Sequence, residues 1–293
     1  MADFSGILPA VVTPFDSDGL FQAKVFERVL ARLFGVGVQG IYICGQTGEG
    51  LQQPIAQRKK VAEVAVKNTP PNKTVIVHVG AMCTADSIEL AQHAFQIGAH
   101  AISSLPPIGD YSFSELKAYY RTLAEHSELP LIIYYFPLFA PNMNSIAECI
   151  QICNLPNVIG IKFTDSDLFK LSEIKKEGTS VLCGTDQMLV AGLLMGADGG
   201  IGSFYNLMPD QFVKLHELSR AGKWCEAKAV QSRINEVISV VTSLALPVHP
   251  TIKVILSWLG FDCGQCLSPR RALTSEEKDR LRTGLAGTSL QIV

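Results

Sequence analysis

Residues 159–165 read Ile-Gly-Ile-Lys-Phe-Thr-Asp, an apolar run of β character with one lysine, Lys162, at its centre. An ammonium ion is costly to bury among Ile and Phe, so burial lowers a lysine's pKa. A lysine that is neutral near pH 7 is a nucleophile and condenses with a ketone to give a Schiff base. Taken alone, the run fits better a lysine at a strand end whose charge snorkels into water. Two other stretches carry related chemistry. Gly45-Gln46-Thr47-Gly48-Glu49 is a tight turn whose amides and hydroxyl suit a carboxylate, although an ordinary strand-to-helix turn has the same letters. Tyr134, near the end of an apolar run over 130–135, is either a proton carrier or core. Combined, the three form a coherent kit. The lysine attacks a 2-oxo acid, the turn holds its carboxylate, and the tyrosine moves a proton as a carbon–carbon bond breaks.

These residues need a scaffold that brings distant segments to one place. Strand-like runs at 6–12, 40–44, 74–79, 101–104, 130–135, the lysine run, 180–183 and 199–202 alternate with helical periodicity near 21–34, 54–67, 84–98, 112–126, 144–153, 167–177 and 187–195. Parallel strands need helical crossovers, and eight such units close a (β/α)8 barrel. An open doubly wound sheet would want a Gly-rich turn after its first strand, where this chain has Thr13-Pro14-Phe15-Asp16. Residues 1–208 are therefore expected to hold the barrel strands and their helices. Residues 209–293 are expected to add the closing barrel helix and a C-terminal helical extension, with helices near 209–220, 223–245, 249–259 and 274–285 and a frayed end from Thr283.

Barrel chemistry sits at the C-terminal ends of the strands. Those ends carry Thr13, the Gln46-Thr47-Gly48 turn, Tyr134, Lys162 with Thr164, Gly184-Thr185-Asp186, and Ser203. Side chains alternate along a strand, so Gly160, Lys162 and Thr164 share a face, and Gly160 is expected to leave clearance beneath the lysine. Tyr134 shares a face with Ile132 and points inward, while Tyr135 meets the helices.

The composition narrows the field. The chain has 293 residues, 47% of them hydrophobic, and a net charge of −2. Its mean hydropathy is +0.23 and its pI about 6.3. Nucleic acid and anionic membranes would favour a basic surface, so neither is expected as a partner. No apolar run approaches the roughly 18–20 residues of a membrane span. The start, Met1-Ala2-Asp3-Phe4-Ser5, lacks a leader's basic and apolar segments, so a cytoplasmic location and reduced thiols are expected for the 8 cysteines. Cys263-Gly264-Gln265-Cys266 has neither the helix start of a redox site nor a second ligand pair for zinc. The 6 histidines lack metal-ligand spacing, so no metal is expected. Glu49 reads as a structural hydrogen-bonding residue rather than a general base.

Three motifs, Gly45-Gln46-Thr47-Gly48-Glu49, Tyr134-Tyr135-Phe136-Pro137 and Gly160-Ile161-Lys162, resemble in order and spacing the N-acetylneuraminate lyase / dihydrodipicolinate synthase family. These are pyruvate-dependent class I aldolases on a TIM barrel, usually homotetramers. The resemblance runs from about Gly6 to Leu281. It is closer to the sialic-acid lyase branch through Val77-His78-Val79-Gly80, the run 162–168 and the run 195–206. It implies that Lys162 forms the Schiff base, that Tyr134 is the catalytic tyrosine with Thr47 as its hydroxyl neighbour, and that Gln46, Thr47 and Gly48 hold the pyruvate carboxylate. Thr164, Gly184, Asp186, Gln187 and Ser203 then complete the substrate site. No cofactor is implied, since the Schiff base itself is the electron sink.

Several positions depart from the family pattern. Gln46 stands where Ser or Thr is usual, Gln187 where the lyases carry a glutamate, and Ala140-Pro141 where Thr-Gly or Ser-Gly is usual. Phe139 stands where the synthases place an arginine for a second carboxylate, which argues against dihydrodipicolinate synthesis. The expected activity is cleavage of a 2-oxo-3-deoxy sugar acid, N-acetylneuraminate first, to pyruvate and an aldehyde. A 2-keto-3-deoxygluconate-type aldolase or dehydratase, a synthase-like enzyme and an inactive homologue that binds 2-oxo acids are the alternatives.

Overall fold

The computed structural model describes residues 4–291. Eight strands lie in one parallel sheet: β1 (Gly6–Pro9), β2 (Gly40–Ile43), β3 (Thr74–His78), β4 (Ala101–Ser104), β5 (Leu131–Tyr135), β6 (Val158–Phe163), β7 (Ser180–Cys183) and β8 (Gly199–Gly202). Ladders join neighbours from β2 round to β8 and on to β1. The seam between β1 and β2 is closed by the Ala10–Tyr42 bridge and by the Val11 amide donating to the Tyr42 carbonyl at 2.9 Å. The strands of this (β/α)8 barrel alternate with α1 (Ala23–Gly35), α2 (Ile55–Lys67), α3 (Thr84–Gln96), α4 (Phe113–Glu125), α5 (Ile146–Cys153), α6 (Leu168–Lys176) and α7 (Leu189–Leu194). After β8 come α8 (Pro209–Arg220), which packs on β1, and then α9 (Trp224–Ser243), α10 (Val248–Trp258) and α11 (Ser275–Leu285).

Two cores follow from the alternation of strand side chains. Leu8, Tyr42, Ile76, Ile132, Tyr134, Leu182 and Ile201 fill the barrel interior. Ile7, Ile41, Val75, Ile133, Tyr135, Ile161 and Phe163 face the helices. Local sequence sets the helix starts where a hydroxyl is available. Ser112 and Ser145 each cap a helix and are answered by Glu115 and Glu148, which satisfies amides that a helix end leaves open.

Three sequence expectations need correction. The first strand stops at Pro9, because proline and the turn beyond it leave Ala10 with only an isolated bridge. Residues 283–291 are not frayed, and the last two residues lie outside the described ones. α11 runs to Leu285, Thr288 bonds back to the Leu285 carbonyl, and Leu290 is buried. Gly160 does not provide clearance under the lysine. A Cβ there would meet the Ser180 carbonyl oxygen of β7 at 2.8 Å, so the glycine permits close approach of two strands.

The segment joining α10 to α11 folds back over the mouth of the barrel. Gly264 sits at φ +65, and a Cβ there would run into the Phe15 carbonyl oxygen, so both backbone angle and space demand glycine. Glu49 is 0% exposed and itself holds a left-handed backbone at φ 56. Its Oε2 accepts from the Leu267 amide at 2.7 Å, and its Oε1 lies 2.7 Å from the Lys253 ammonium. Lys253 also donates to the Gln265 carbonyl at 3.1 Å. A buried ion pair is worth little over apolar packing, but losing one partner strands the other charge. Glu49→Ala is therefore expected to lower stability by about 3–5 kcal/mol in urea unfolding. A loss below about 1 kcal/mol would show that this pair does not anchor the segment.

Candidate active site

The register of β5 against β6 decides what lies beside Lys162. Leu131 pairs with Val158 but Ile132 pairs with Gly160, so Ile159 is an extra residue, a β-bulge. Beyond it Tyr134 pairs with Lys162. Without the bulge Lys162 would pair with Tyr135, and the two chemically useful side chains would face opposite sides of the sheet.

Lys162 is 4% exposed and Tyr134 3%. The lysine Nζ lies 3.6 Å from the centre of the Tyr134 ring and 4.7 Å from that of Tyr42. His78 packs edge-on against Tyr134 beneath them. Its two ring nitrogens are taken by the Cys44 carbonyl and the Leu105 amide, and burial holds it well below the usual imidazole range. Among the described residues no carboxylate pairs with Lys162. Burial lowers its pKa to about 7, partly opposed by the charge of Asp186. A substantial fraction is therefore a free amine at neutral pH.

Burial also pushes the Tyr134 phenol well up, so it is protonated at rest. The Thr164 hydroxyl is near enough to pull that value back down, yet Thr164 Oγ1 makes no well-formed hydrogen bond of its own. It is a buried polar atom beside the Tyr134 phenol.

The turn after β2 is compact. The Gly48 carbonyl accepts from Thr13 Oγ1 and Gln53 Nε2, each at 2.7 Å. Among the described residues the amides of Thr47 and Gly48 find no acceptor, which leaves two donors unused. Thr47 Oγ1 shares a 2.6 Å hydrogen bond with Ser203 Oγ, a contact not foreseen from sequence. Asp186 is buried, and desolvation raises its carboxyl to about 6 even though Oδ2 accepts from the Phe204 amide at 2.7 Å. The helical region steadies this wall. Gln231 and Asn235 of α9 donate to the carbonyls of Asp186 and Gln187, both at 3.1 Å.

Of the residues singled out from sequence, Gln46, Thr47, Tyr134, Lys162, Thr164, Gly184, Asp186, Gln187 and Ser203 all line one cavity of about 690 Å³ at the C-terminal ends of the strands. Gly48 lies just behind that lining. Phe136 and Phe139 on the loop after β5 join them, as do His249 and Arg270 from the C-terminal region, which were not foreseen, while Tyr42, also not foreseen, packs under the lysine. The apolar Phe136-Pro137 pair was visible as a motif. Nothing local to residues 249 and 270 says that they return to the barrel mouth. Cys263 and Cys266 have no partner role here. Both are free thiols, and burial pushes each up to about 12.

The buried amine also has a consequence for stability. Folding lowers the Lys162 pKa from lysine's ordinary 10.5 to about 7. Between these values the unfolded chain binds one more proton, so stability rises with pH; at and below about 7 the full cost of the charge remains. Lys162→Met removes that cost. It is expected to stabilise the fold by on the order of 4–5 kcal/mol near pH 6–7, a gain that fades toward pH 10. Denaturant titrations across pH that give the same difference at every pH would refute this.

Comparison with known proteins agrees with this geometry. The dihydrodipicolinate synthetase family profile matches residues 3–287. An N-acetylneuraminate lyase from Rhizobium meliloti (strain 1021) is 35% identical over 284 residues, which is 96% of this chain and 94% of the relative. The sialic acid aldolase of Ruminococcus gnavus superposes with a TM-score of 0.91 at 29% identity, covering 97% of this chain and 96% of that one. A prophage protein of the dihydrodipicolinic acid synthase family from E. coli K12, solved in complex with pyruvate, superposes with a TM-score of 0.92 at 28% identity, covering 98% and 99%. With that match over nearly its whole length, the chain belongs to the dihydrodipicolinate synthetase family.

Proposed function

We propose that the protein is a Schiff-base class I aldolase that reversibly cleaves a 2-oxo-3-deoxy sugar acid, such as N-acetylneuraminate, to pyruvate and an aldehyde. The observation that carries this reading is the Lys162 amine, held near pKa 7 against the Tyr134 ring at the mouth of a barrel. The relatives named N-acetylneuraminate lyase support the substrate.

In this reading the substrate carboxylate accepts from the Thr47 and Gly48 amides, with Gln46 and the Thr47 hydroxyl beside it. The neutral Lys162 Nζ attacks the C2 ketone. Tyr134 starts protonated and gives its proton to the departing hydroxyl, which leaves as water. This produces a protonated imine next to a phenolate, two opposite charges that stabilise each other in a site of low polarity. The phenolate then takes the proton of the C4 hydroxyl. The C3–C4 bond breaks, its electrons pass into the imine to form an enamine, and the aldehyde departs. Tyr134 returns the proton to C3, and water releases pyruvate from the lysine. The imine is the electron sink throughout, so neither metal nor organic cofactor is needed. Thr164, Gly184, Asp186, Gln187 and Ser203 bind the hydroxylated chain. Gln187, exposed and uncharged, favours as a second reading a shorter substrate of the 2-keto-3-deoxygluconate type, as aldolase or dehydratase. The family resemblance supports a homotetramer.

Borohydride reduction in the presence of pyruvate, read by intact mass, tests the reading. A pyruvyl adduct is expected on the wild type and not on Lys162→Ala. Tyr134→Phe is expected to keep the adduct while kcat falls roughly 10²–10⁴-fold, the range for loss of a positioned proton donor. A wild type that gives no adduct under excess pyruvate would make the chain an inactive homologue.

A further inference from the structure

Lys170 is a buried cation that the reaction above does not use. It stands in the first turn of α6, where the helix dipole disfavours a positive charge. Its side chain is also withdrawn from water, which disfavours the charge again. It is nonetheless fully satisfied. An ammonium has three donors, and Lys170 Nζ places them on the Tyr135 phenol oxygen at 2.9 Å, Asn144 Oδ1 at 3.2 Å and Asp165 Oδ2 at 3.3 Å. The Tyr135 hydroxyl in turn donates to Asn144 Oδ1 at 3.0 Å or to Asp165 Oδ2 at 3.3 Å.

The three acceptors belong to separate pieces of the site wall. Tyr135 ends β5 and faces the helices. Asn144 closes the loop after β5, immediately before the Ser145 cap of α5. Asp165 lies in the turn after β6 and passes the connection on, because its carbonyl accepts from Thr185 Oγ1 of the turn after β7 at 3.2 Å. Phe136 and Phe139, Thr164 and Asp165, and Thr185 and Asp186 line the cavity, whereas Lys170 does not. One ammonium between the barrel and its helices therefore joins, from behind, three loops that frame the hydroxylated end of the substrate. The pyruvate end is held by other means. Lys162 is fixed by the pairing of β6 with β5 and β7, and the turn after β2 by the bonds of Thr13 and Gln53 to the Gly48 carbonyl.

We propose that Lys170 is a positioning residue for the carbon–carbon bond step alone. It holds the loops after β5, β6 and β7 in fixed relation, and imine formation between Lys162 and pyruvate proceeds without it. The proposal rests on the Schiff-base reading of Lys162 and deepens it by dividing the site into two halves that are held separately. The hydroxylated chain must keep its C3–C4 bond aligned with the imine for the electrons to pass into it, and a misplacement of about 1 Å costs on the order of 10²-fold in rate. Pyruvate, held by the lysine and the turn, makes no such demand on these loops.

The test is K170M, which keeps the bulk of the side chain and removes its charge and donors. N144A, which removes one acceptor from an exposed residue, is the second variant. Exchange of the pyruvate methyl protons in deuterium oxide, followed by NMR, reports imine and enamine formation without any aldehyde. That rate is expected to stay within about twofold of wild type in both variants. Cleavage is read on N-acetylneuraminate or 2-keto-3-deoxygluconate, whichever the wild type takes faster, and its kcat/KM is expected to fall about 10–100-fold in K170M and less in N144A. Backbone amide exchange is expected to quicken about tenfold in residues 136–145, 164–167 and 184–187 of K170M and to stay unchanged in residues 45–49. Equal losses of proton exchange and cleavage in both variants would mark a general loss of fold and overturn the proposal, as would unchanged cleavage in K170M. If the wild type exchanges no pyruvate protons, the aldolase reading fails by itself; if it exchanges them but cleaves neither acid, the substrate reading fails. In either case unchanged amide exchange in K170M overturns the positioning role, and quickened exchange confined to the three loops supports it.

Discussion

The site depends on a primary amine held against aromatic faces without a counter-ion. Water would keep that amine charged, and a nearby carboxylate would do the same. The barrel leaves Lys162 only 4% exposed and, among the described residues, gives it no ion-paired carboxylate. Tyr42, His78 and Tyr134 line the space under Lys162, and His78 is fixed neutral by its two hydrogen bonds, so it brings no charge. The nearest acidic influence is Asp186, which is itself buried and raised to about 6. It moderates the lysine without neutralising the effect of burial. Two groups whose environments push their pKa values toward one another can both change protonation near neutral pH, which is what a site that moves protons requires.

That arrangement needs the closed ring of strands and one irregularity in it. The bulge at Ile159 turns the Tyr134–Lys162 pair to the same side, and the seam between β1 and β2 keeps solvent out from below. The mouth is governed from far along the chain. Glu49, immediately after the open-amide turn, reaches Lys253 and the Leu267 amide, and Gln46 in the same turn meets Arg270. The turn after β2 and the segment that returns over the barrel mouth are thereby tied together. Changes in residues 249–270 will be felt at residues 46–49.

Much of this was legible in the letters. The period of apolar residues located every barrel strand and helix to within a few positions, because each strand is buried on both faces and each helix on one. Lys162, Tyr134 and the 45–49 turn could be found because they coincide at strand ends and match the motifs of a known family, whereas each alone also fits an ordinary strand end, core residue or turn. What was not legible depends on contacts between segments remote in sequence. Strand register is one: nothing in Val158-Ile159-Gly160 announces a bulge. The role of Gly160 is another, since it answers the Ser180 carbonyl on β7 rather than the lysine next door. The hydroxyl partner of Thr47 is a third, because Ser203 follows β8 and is brought beside the turn after β2 only when the barrel closes. His249 and Arg270 carry no local signal, since only the return of the chain over the mouth gives them a place in the pocket.

The most direct test is the protonation equilibrium of the amine itself. The Nζ resonance of Lys162 in ¹⁵N-labelled protein, assigned by its loss in Lys162→Met, can be followed from about pH 5 to 11. The account predicts a midpoint near 7, far below the ordinary 10.5 of lysine. A midpoint near 10.5 would contradict it, because a lysine that stays charged in this barrel is not poised to attack a ketone.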